Sequence, residues 1–140
     1  FREQVRRAAG VLFVTPEYNR SVPGLLKNAI DVGSRPYGKS AWSGKPAAIV
    51  SVSPGALGAF GANHHLRQSF VFLDMPVMQH PEAYVGGAEK LFDESGKLTN
   101  ASTREFPGTY RPARSTGRIA SVTSTPADEY EAGGVSACAL

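Results

Sequence analysis

The chain has a single cysteine, Cys138, in 140 residues, so no intramolecular disulfide can brace it. No apolar run approaches the roughly 20 residues that a bilayer-spanning helix needs, and no charged-then-apolar leader opens the sequence. Together these absences predict a reducing, cytoplasmic setting and no membrane partner. The sequons Asn19-Arg-Ser21 and Asn100-Ala-Ser102 then read as chance matches, because glycosylation requires secretion. Charge of one sign is lacking too: 15 basic residues face 12 acidic ones, for a net charge of +3. The densest basic group, Arg2, Arg6 and Arg7, fits the exposed face of a short helix better than a nucleic-acid patch, so no nucleic-acid partner is expected. No internal repeat is visible.

What is present is a modest, glycine-rich chain. Its length allows one domain, and 41% hydrophobic residues are compatible with a packed core. Gly 15 and Pro 10 are high for this length and imply many turns. The stretch Val11–Asp31, VLFVTPEYNRSVPGLLKNAID, carries the clearest pattern. Val11–Val14 is continuously apolar, as in a strand of a parallel sheet. Thr15–Arg20 interrupts with proline, asparagine and charge. Val22, Leu25, Leu26, Ala29 and Ile30 then follow helical spacing, with Ser21 as expected N-cap, Pro23 in the first turn and Gly33 at the stop. In open α/β sheets ligands sit outside the carboxyl ends of strands, which is where Pro16–Asn19 falls.

Further along, Pro46–Ser53 reads as a second strand, Ser53–Gly61 as a glycine-rich connection, and Ala62–Leu73 as a helix turning Leu66, Phe70 and Leu73 inward. Pro76–Gln79 and Ala83–Val85 are short strand candidates. Leu91–Asn100 reads as a turn joining two extended pieces, and Ala101–Phe106 as the first turn of a helix. From Pro107 to Leu140, Gly, Pro, Ser and Thr supply 15 of 34 residues without sustained periodicity, which predicts a disordered or unrelated tail. The expected division is therefore 1–106, a partial α/β domain, and 107–140, the tail. The chain opens at Phe1 in what reads as the second half of a helix, so a fragment is expected.

The segments TPEYNRSVPGLLKNAID and SGKPAAIVSVSPGALGAFGANHHLRQSFVFLDMPVM resemble the NAD(P)H-dependent FMN reductases, a group that includes chromate and quinone reductases. The likeness covers roughly Val11 to Leu98. It implies a flavodoxin-like three-layer sandwich with a parallel sheet of order 2-1-3-4-5, in which this chain supplies strands 3, 4 and 5 and lacks the first βαβ portion. Val11–Val14 would then have one edge unpaired. The resemblance also implies FMN and NAD(P)H as cofactors and a homodimer or homotetramer. Acceptors would be quinones, free flavins, azo compounds or metal oxyanions, reduced by ping-pong hydride transfer.

By this resemblance Pro16, Glu17, Tyr18 and Asn19 form a loop against the isoalloxazine ring, and Ser53, Pro54, Gly55 and Gly58 form a second. Backbone groups of a sharp turn and the Asn19 amide suit the polar edge of a flavin, and glycines let backbone approach a planar ring. Pattern alone would leave the first loop an ordinary strand-to-helix connection and the second a turn without a ligand. Hydride transfer between nicotinamide and flavin needs no protein base, so no catalytic acid or base is assigned, Glu17 included. Gly55, Gly58 and Gly61 are spaced GxxGxxG, not GxGxxG, which excludes a Rossmann dinucleotide site. FMN binding in such folds uses a Ser/Arg/Asn-rich phosphate loop after the first strand, and no such segment precedes Val11.

His64 and His65 point about 100° apart on a helix and, with His80 and Glu82, make no credible metal set, so a polar face or subunit contact is expected. Some members of the resembled family carry, at the position of Gly61, an arginine that ties subunits together. Cys138, Tyr110 and Tyr130 receive no role. Two other readings stand beside the reductase. One is a flavodoxin-type electron carrier, a class usually strongly acidic; the other is a truncated, non-catalytic product.

Overall fold

The strand expected at Val11–Val14 is β1 (Gly10–Thr15), and it alternates: Val11, Phe13 and Thr15 are buried while Leu12 and Val14 are half-buried. A computed structural model of the chain describes residues 1–101 and 103, and the backbone of residues 119–123 and 136–139. A short helix, α1 (Arg2–Arg7), precedes β1. Its Glu3 lies in the first turn and Arg6 and Arg7 in the last, the arrangement that complements a helix dipole. Only Val5 of this helix is buried.

The amphipathic segment after the turn is α2 (Gly24–Gly33), which buries Leu26, Ala29 and Ile30. Its start departs from expectation. Pro23 is the N-cap residue and has no side-chain acceptor to offer, while the Ser21 hydroxyl, two residues earlier, lies 2.8 Å from His65 Nδ1. At the other end Gly33 is the last helical residue, and packing rather than backbone freedom requires it. A Cβ there would come within 2.4 Å of the Trp42 ring. That indole is fully buried and donates its Nε1–H to the Ile30 carbonyl at 2.8 Å.

The second strand is β2 (Ala47–Val52), followed by α3 (Phe60–Phe72) and β3 (Ala83–Val85). Leu66 and Phe70 are buried as expected, and Leu73 packs against the core from its edge. Pro76–Gln79 is not a strand. It meets β2 only at Ala47, which bonds Pro76 O and Met78 N, before the chain turns away through His80-Pro81. Phe92 and Leu98 pair across the turn at Asp93–Gly96, whose Asp93 carboxylate accepts from the Ser95 hydroxyl and the Ser95 and Lys97 amides. The Asn100 side chain accepts from Thr103 N, as at a helix start; the rest of the helix expected over 101–106 lies outside the described residues.

All strand pairs are parallel and the sheet order is β3-β2-β1-β4-β5, with β4 (Ile119–Thr123) and β5 (Ser136–Ala139) from the C-terminal segment. The succession β3-β2-β1 is that of strands 5, 4 and 3 in a flavodoxin-like sheet. The edge of β1 expected to stand open is instead paired with β4, Gly10 to Ile119 through Val14 to Thr123. These two strands fall within 107–140, where the sequence shows no periodicity; the remainder of that segment lies outside the described residues.

Val5 of α1, Leu26 and Ile30 of α2, and Leu66 and Phe70 of α3 join Val11, Phe13, Ile49 and Trp42 in one cluster. Phe13 is at its centre, with ring centroids 4.5 Å from Phe70 and 5.8 Å from Trp42. Burying such a ring contributes about 1.5–3 kcal/mol. This cluster anchors the sheet and fixes where the strands end, hence where their following loops project.

Candidate functional site

Adjacent β1 and β2 end at the same level, with Thr15 paired to Ser51, so the loops that follow them emerge side by side. The first begins at Thr15, fully buried, whose hydroxyl donates to Pro16 O at 2.8 Å. Three residues on, Tyr18 and Ser21 exchange both backbone hydrogen bonds, at 2.9 and 3.0 Å. The intervening Asn19 and Arg20 have φ of 51° and 64°, the positive pair that a mirror-image type I turn demands. Asparagine tolerates that region, while arginine is strained there. The turn leaves Tyr18 and Asn19 exposed, and the Asn19 side chain makes no hydrogen bond among the described residues.

Glu17 behaves differently from its neighbours. Its side chain is only 14% exposed and points to the start of α3, where Oε2 accepts the Ala62 N–H at 3.1 Å. Arg20 Nη1 lies 3.7 Å from Oε1 but is 75% exposed, so water screens that pair.

The second loop, 53–61, is held on three sides. Ser53 accepts from Gly55 N through its hydroxyl and from Ala88 N through its carbonyl, and its own N–H donates to Val85 O. Gly58 has φ +56°, and a Cβ on it would stand 2.7 Å from the Tyr84 carbonyl carbon and 2.8 Å from Val85 N. Only glycine meets both demands. A buried polar network lies beneath. Ser51 Oγ contacts Gly58 O at 2.8 Å and Ala83 O at 3.2 Å and accepts from Asn63 Nδ2, while Asn63 Oδ1 accepts from Arg67. Sequence reasoning missed Ser51 and Asn63. A serine within PAAIVSVS and an asparagine opening a helix carry no signal of partners 7 and 12 residues away.

The predicted site residues are thus gathered at neighbouring strand ends: Pro16, Tyr18 and Asn19 on one loop, Ser53, Pro54, Gly55 and Gly58 on the other. Glu17 belongs to the first loop by backbone, with its side chain committed to α3. Exposed Tyr18, Leu57 and Phe60 give this end an apolar surface. Phe60 packs on His64 at 4.1 Å between centroids and lies 5.4 Å from Tyr84. Partial burial, a hydrogen bond to Glu82 and that carboxylate's charge push the Tyr84 phenol above its ordinary pKa, against a smaller opposing effect of Arg67. The paired histidines diverge: His64 Nε2 is 3.1 Å from Tyr84 OH, and His65 Nδ1 meets Ser21. Among the described residues, no group of three His, Cys, Asp or Glu is placed to hold a metal, and no helix is long and apolar enough to cross a membrane.

A parallel α/β sheet with two such loops at adjacent strand ends defines a flavodoxin-like domain, with its candidate site where that class binds ligands. Within that class, the NADPH-dependent FMN reductase family matches residues 1–90, and the chain belongs to that family. It is 76% identical over 106 residues to a quinone reductase of Pseudomonas putida, covering 76% of this chain and 56% of that protein. It is 46% identical over 110 residues to a 2-hydroxy-1,4-benzoquinone reductase of Burkholderia sp, covering 79% of this chain and 60% of that one. Among solved structures, the FerB flavoenzyme NAD(P)H:(acceptor) oxidoreductase of Paracoccus denitrificans matches with a TM-score of 0.69 at 38% identity, over 78% of this chain and 60% of that one. The chain therefore spans a little over half the length of these curated relatives.

Proposed function

We propose that this chain acts in an NAD(P)H-dependent FMN oxidoreductase that reduces quinones, with the flavin ring seated between the 16–19 and 53–58 loops. The observation that carries the reading is the juxtaposition of two loops at the ends of β1 and β2, one presenting an Asn19 amide without a partner among the described residues and the other a glycine, Gly55, with an open Cα face. A Cβ at Gly55 would meet, among the described residues, only Ser53 Oγ, at 3.5 Å, so the Cα face of that residue is open, while its carbonyl accepts from Gly58 N and Gly87 N. A planar, polar-edged ring suits such a place. FMN, when bound, supplies the relay of a hydride from NAD(P)H to the acceptor, and a quinone that takes that hydride and one proton leaves as its hydroquinone. The protein's share is positional. Pro16, the Glu17 backbone, Tyr18 and Asn19 hold the ring's polar edge, Ser53, Pro54, Gly55 and Gly58 lie along it, and Tyr18, Leu57 and Phe60 exclude water from its border.

The proposal assigns this chemistry to residues 1–106, with 107–140 an appended segment. It also includes a cytoplasmic homodimer or homotetramer without nucleic-acid or membrane partners, and a tolerance of flavin, azo and metal oxyanion acceptors. Titration of the purified chain with FMN, followed by anaerobic NADPH, tests the reading. Binding with bleaching of the visible flavin bands supports it. Absence of binding at excess FMN refutes it for this chain, and binding without bleaching favours an electron carrier.

A further inference from the structure

We propose that Glu17 is a positioning residue. It caps α3 from the neighbouring loop and thereby locks the Tyr18–Ser21 turn against the glycine-rich connection, and Gly61 is the residue whose missing side chain makes the lock possible. The state of the lock is independent of any ligand; its consequence for FMN rests on the proposed function.

Helix α3 begins poorly provided for. Its N-cap residue, Ala59, has φ 60° and no side chain able to accept from the first turn, and that turn contains no acidic residue. A helix start leaves several N–H groups unpaired, and an oxygen acceptor there is ordinarily supplied by the N-cap side chain itself. Here the acceptor comes from 45 residues earlier, as Glu17 Oε2 at 3.1 Å from Ala62 N. A carboxylate at this point gains from both the charge-assisted bond and the positive end of the helix dipole.

The approach is close enough to be selective. A Cβ on Gly61 would stand 2.8 Å from Glu17 Oε2 and 2.8 Å from Arg20 O. The second contact is to backbone, which cannot swing aside as a side chain can. A side chain at 61 therefore forces either the turn or the start of α3 to shift. Asn19 and Arg20, both at positive φ, form the part of the turn that projects beyond the lock. Fixing Glu17 fixes the direction in which the Asn19 amide is offered. The exposed Arg20 side chain at 3.7 Å is a bystander to this contact.

Amide hydrogen exchange on the full 140-residue chain without FMN, followed by FMN titration, tests the assignment with Glu17→Ala, Glu17→Gln, Gly61→Ala and Arg20→Ala. Glu17→Ala is expected to raise exchange at Ala62 by about tenfold, the loss of one charge-assisted bond. Glu17→Gln retains an oxygen acceptor without its charge and should restore about half of the lost protection, and Gly61→Ala should mimic Glu17→Ala with the carboxylate intact. Arg20→Ala should leave Ala62 near its original rate. FMN affinity should follow the same order, weakened by about tenfold in Glu17→Ala and partly rescued in Glu17→Gln. Unchanged Ala62 exchange in Glu17→Ala overturns the lock. Failure of Glu17→Gln to rescue, or an Arg20→Ala effect equal to that of Glu17→Ala, overturns the positioning role in favour of a role for charge. If the unaltered chain binds no FMN while Ala62 responds as expected, the lock stands and the proposed function falls.

Discussion

Replacing Gly58 by alanine tests whether the glycine-rich loop and the end of β3 form one rigid body. Two penalties combine at this residue. Its φ of +56° imposes on an L-residue the left-handed cost of about 1–2 kcal/mol. The added Cβ would also meet three backbone atoms, Tyr84 C at 2.7 Å, Val85 N at 2.8 Å and Gly86 N at 3.0 Å. Forcing a methyl into a packed site costs a further 1–3 kcal/mol or so. The sum, about 2–5 kcal/mol, is a large part of the roughly 5–15 kcal/mol by which a domain is stable. Two controls separate the terms. Gly38→Ala has φ +75° but open space, so it should lose only about 1–2 kcal/mol. Gly55→Ala has ordinary contact with Ser53 Oγ and no positive φ, so it should stay within about 0.5 kcal/mol of the parent. Urea unfolding followed by circular dichroism measures all three, and the Gly58→Ala midpoint should fall by about 1 M or more. If Gly58→Ala loses no more than Gly38→Ala, the β3 backbone yields freely to the loop and the rigid-body reasoning is wrong.

Gly33→Ala should cost about 2–4 kcal/mol, because its Cβ would overlap the Trp42 ring, and at least about 1 kcal/mol of that cost should vanish in a Trp42→Phe background. A double-mutant cycle by thermal unfolding gives that coupling, and strict additivity would refute the contact. Asn63→Ala should destabilise by about 1–3 kcal/mol, since Ser51 loses its donor and Arg67 its acceptor in a buried setting; an urea midpoint equal to the parent's would contradict this. Glu82→Gln should lower the Tyr84 phenol towards, but not to, the ordinary tyrosine range, because burial remains after the carboxylate's charge is gone. Because folding raises this pKa, the associated stability is present below the ordinary tyrosine range and lost as pH rises through the folded value. Ultraviolet titration at the tyrosinate band follows the shift, and an unchanged curve in Glu82→Gln would remove that carboxylate as a cause.

The parts legible in the sequence were those whose cause is local. An apolar run, an interrupting proline and asparagine, and a helical stripe are written within Val11–Asp31, and β1, the turn and α2 follow from them. The same local logic failed where a distant partner competed. Ser21 has the right chemistry and place for an N-cap, yet its hydroxyl goes to His65, 44 residues away. Pro76–Gln79 has strand-like residues but only Ala47 of β2 to bond with. Arg67 ties Asn63 to the Met78 carbonyl, 11 residues on, a link that no local pattern announces. The pairing of β4 with β1 could not be read from a segment without periodicity. For the site, the resemblance to the FMN reductases nominated both loops, where residue pattern alone left them ordinary connections. That Glu17 turns away from its loop to serve another helix required the fold.

The Ser51 hydroxyl has one proton and two carbonyls within reach, that of Gly58 in the glycine-rich loop and that of Ala83 at the start of β3. Asn63 donates to the same oxygen, which fixes the oxygen but leaves the proton to be divided. Loop and edge strand therefore share a single donor. The Gly58 carbonyl is the nearer of the two, at 2.8 Å against 3.2 Å for Ala83. The glycine-rich loop and the sheet's margin beside Glu82 and Tyr84 are thus joined through one serine hydroxyl, and removing it would release both at once.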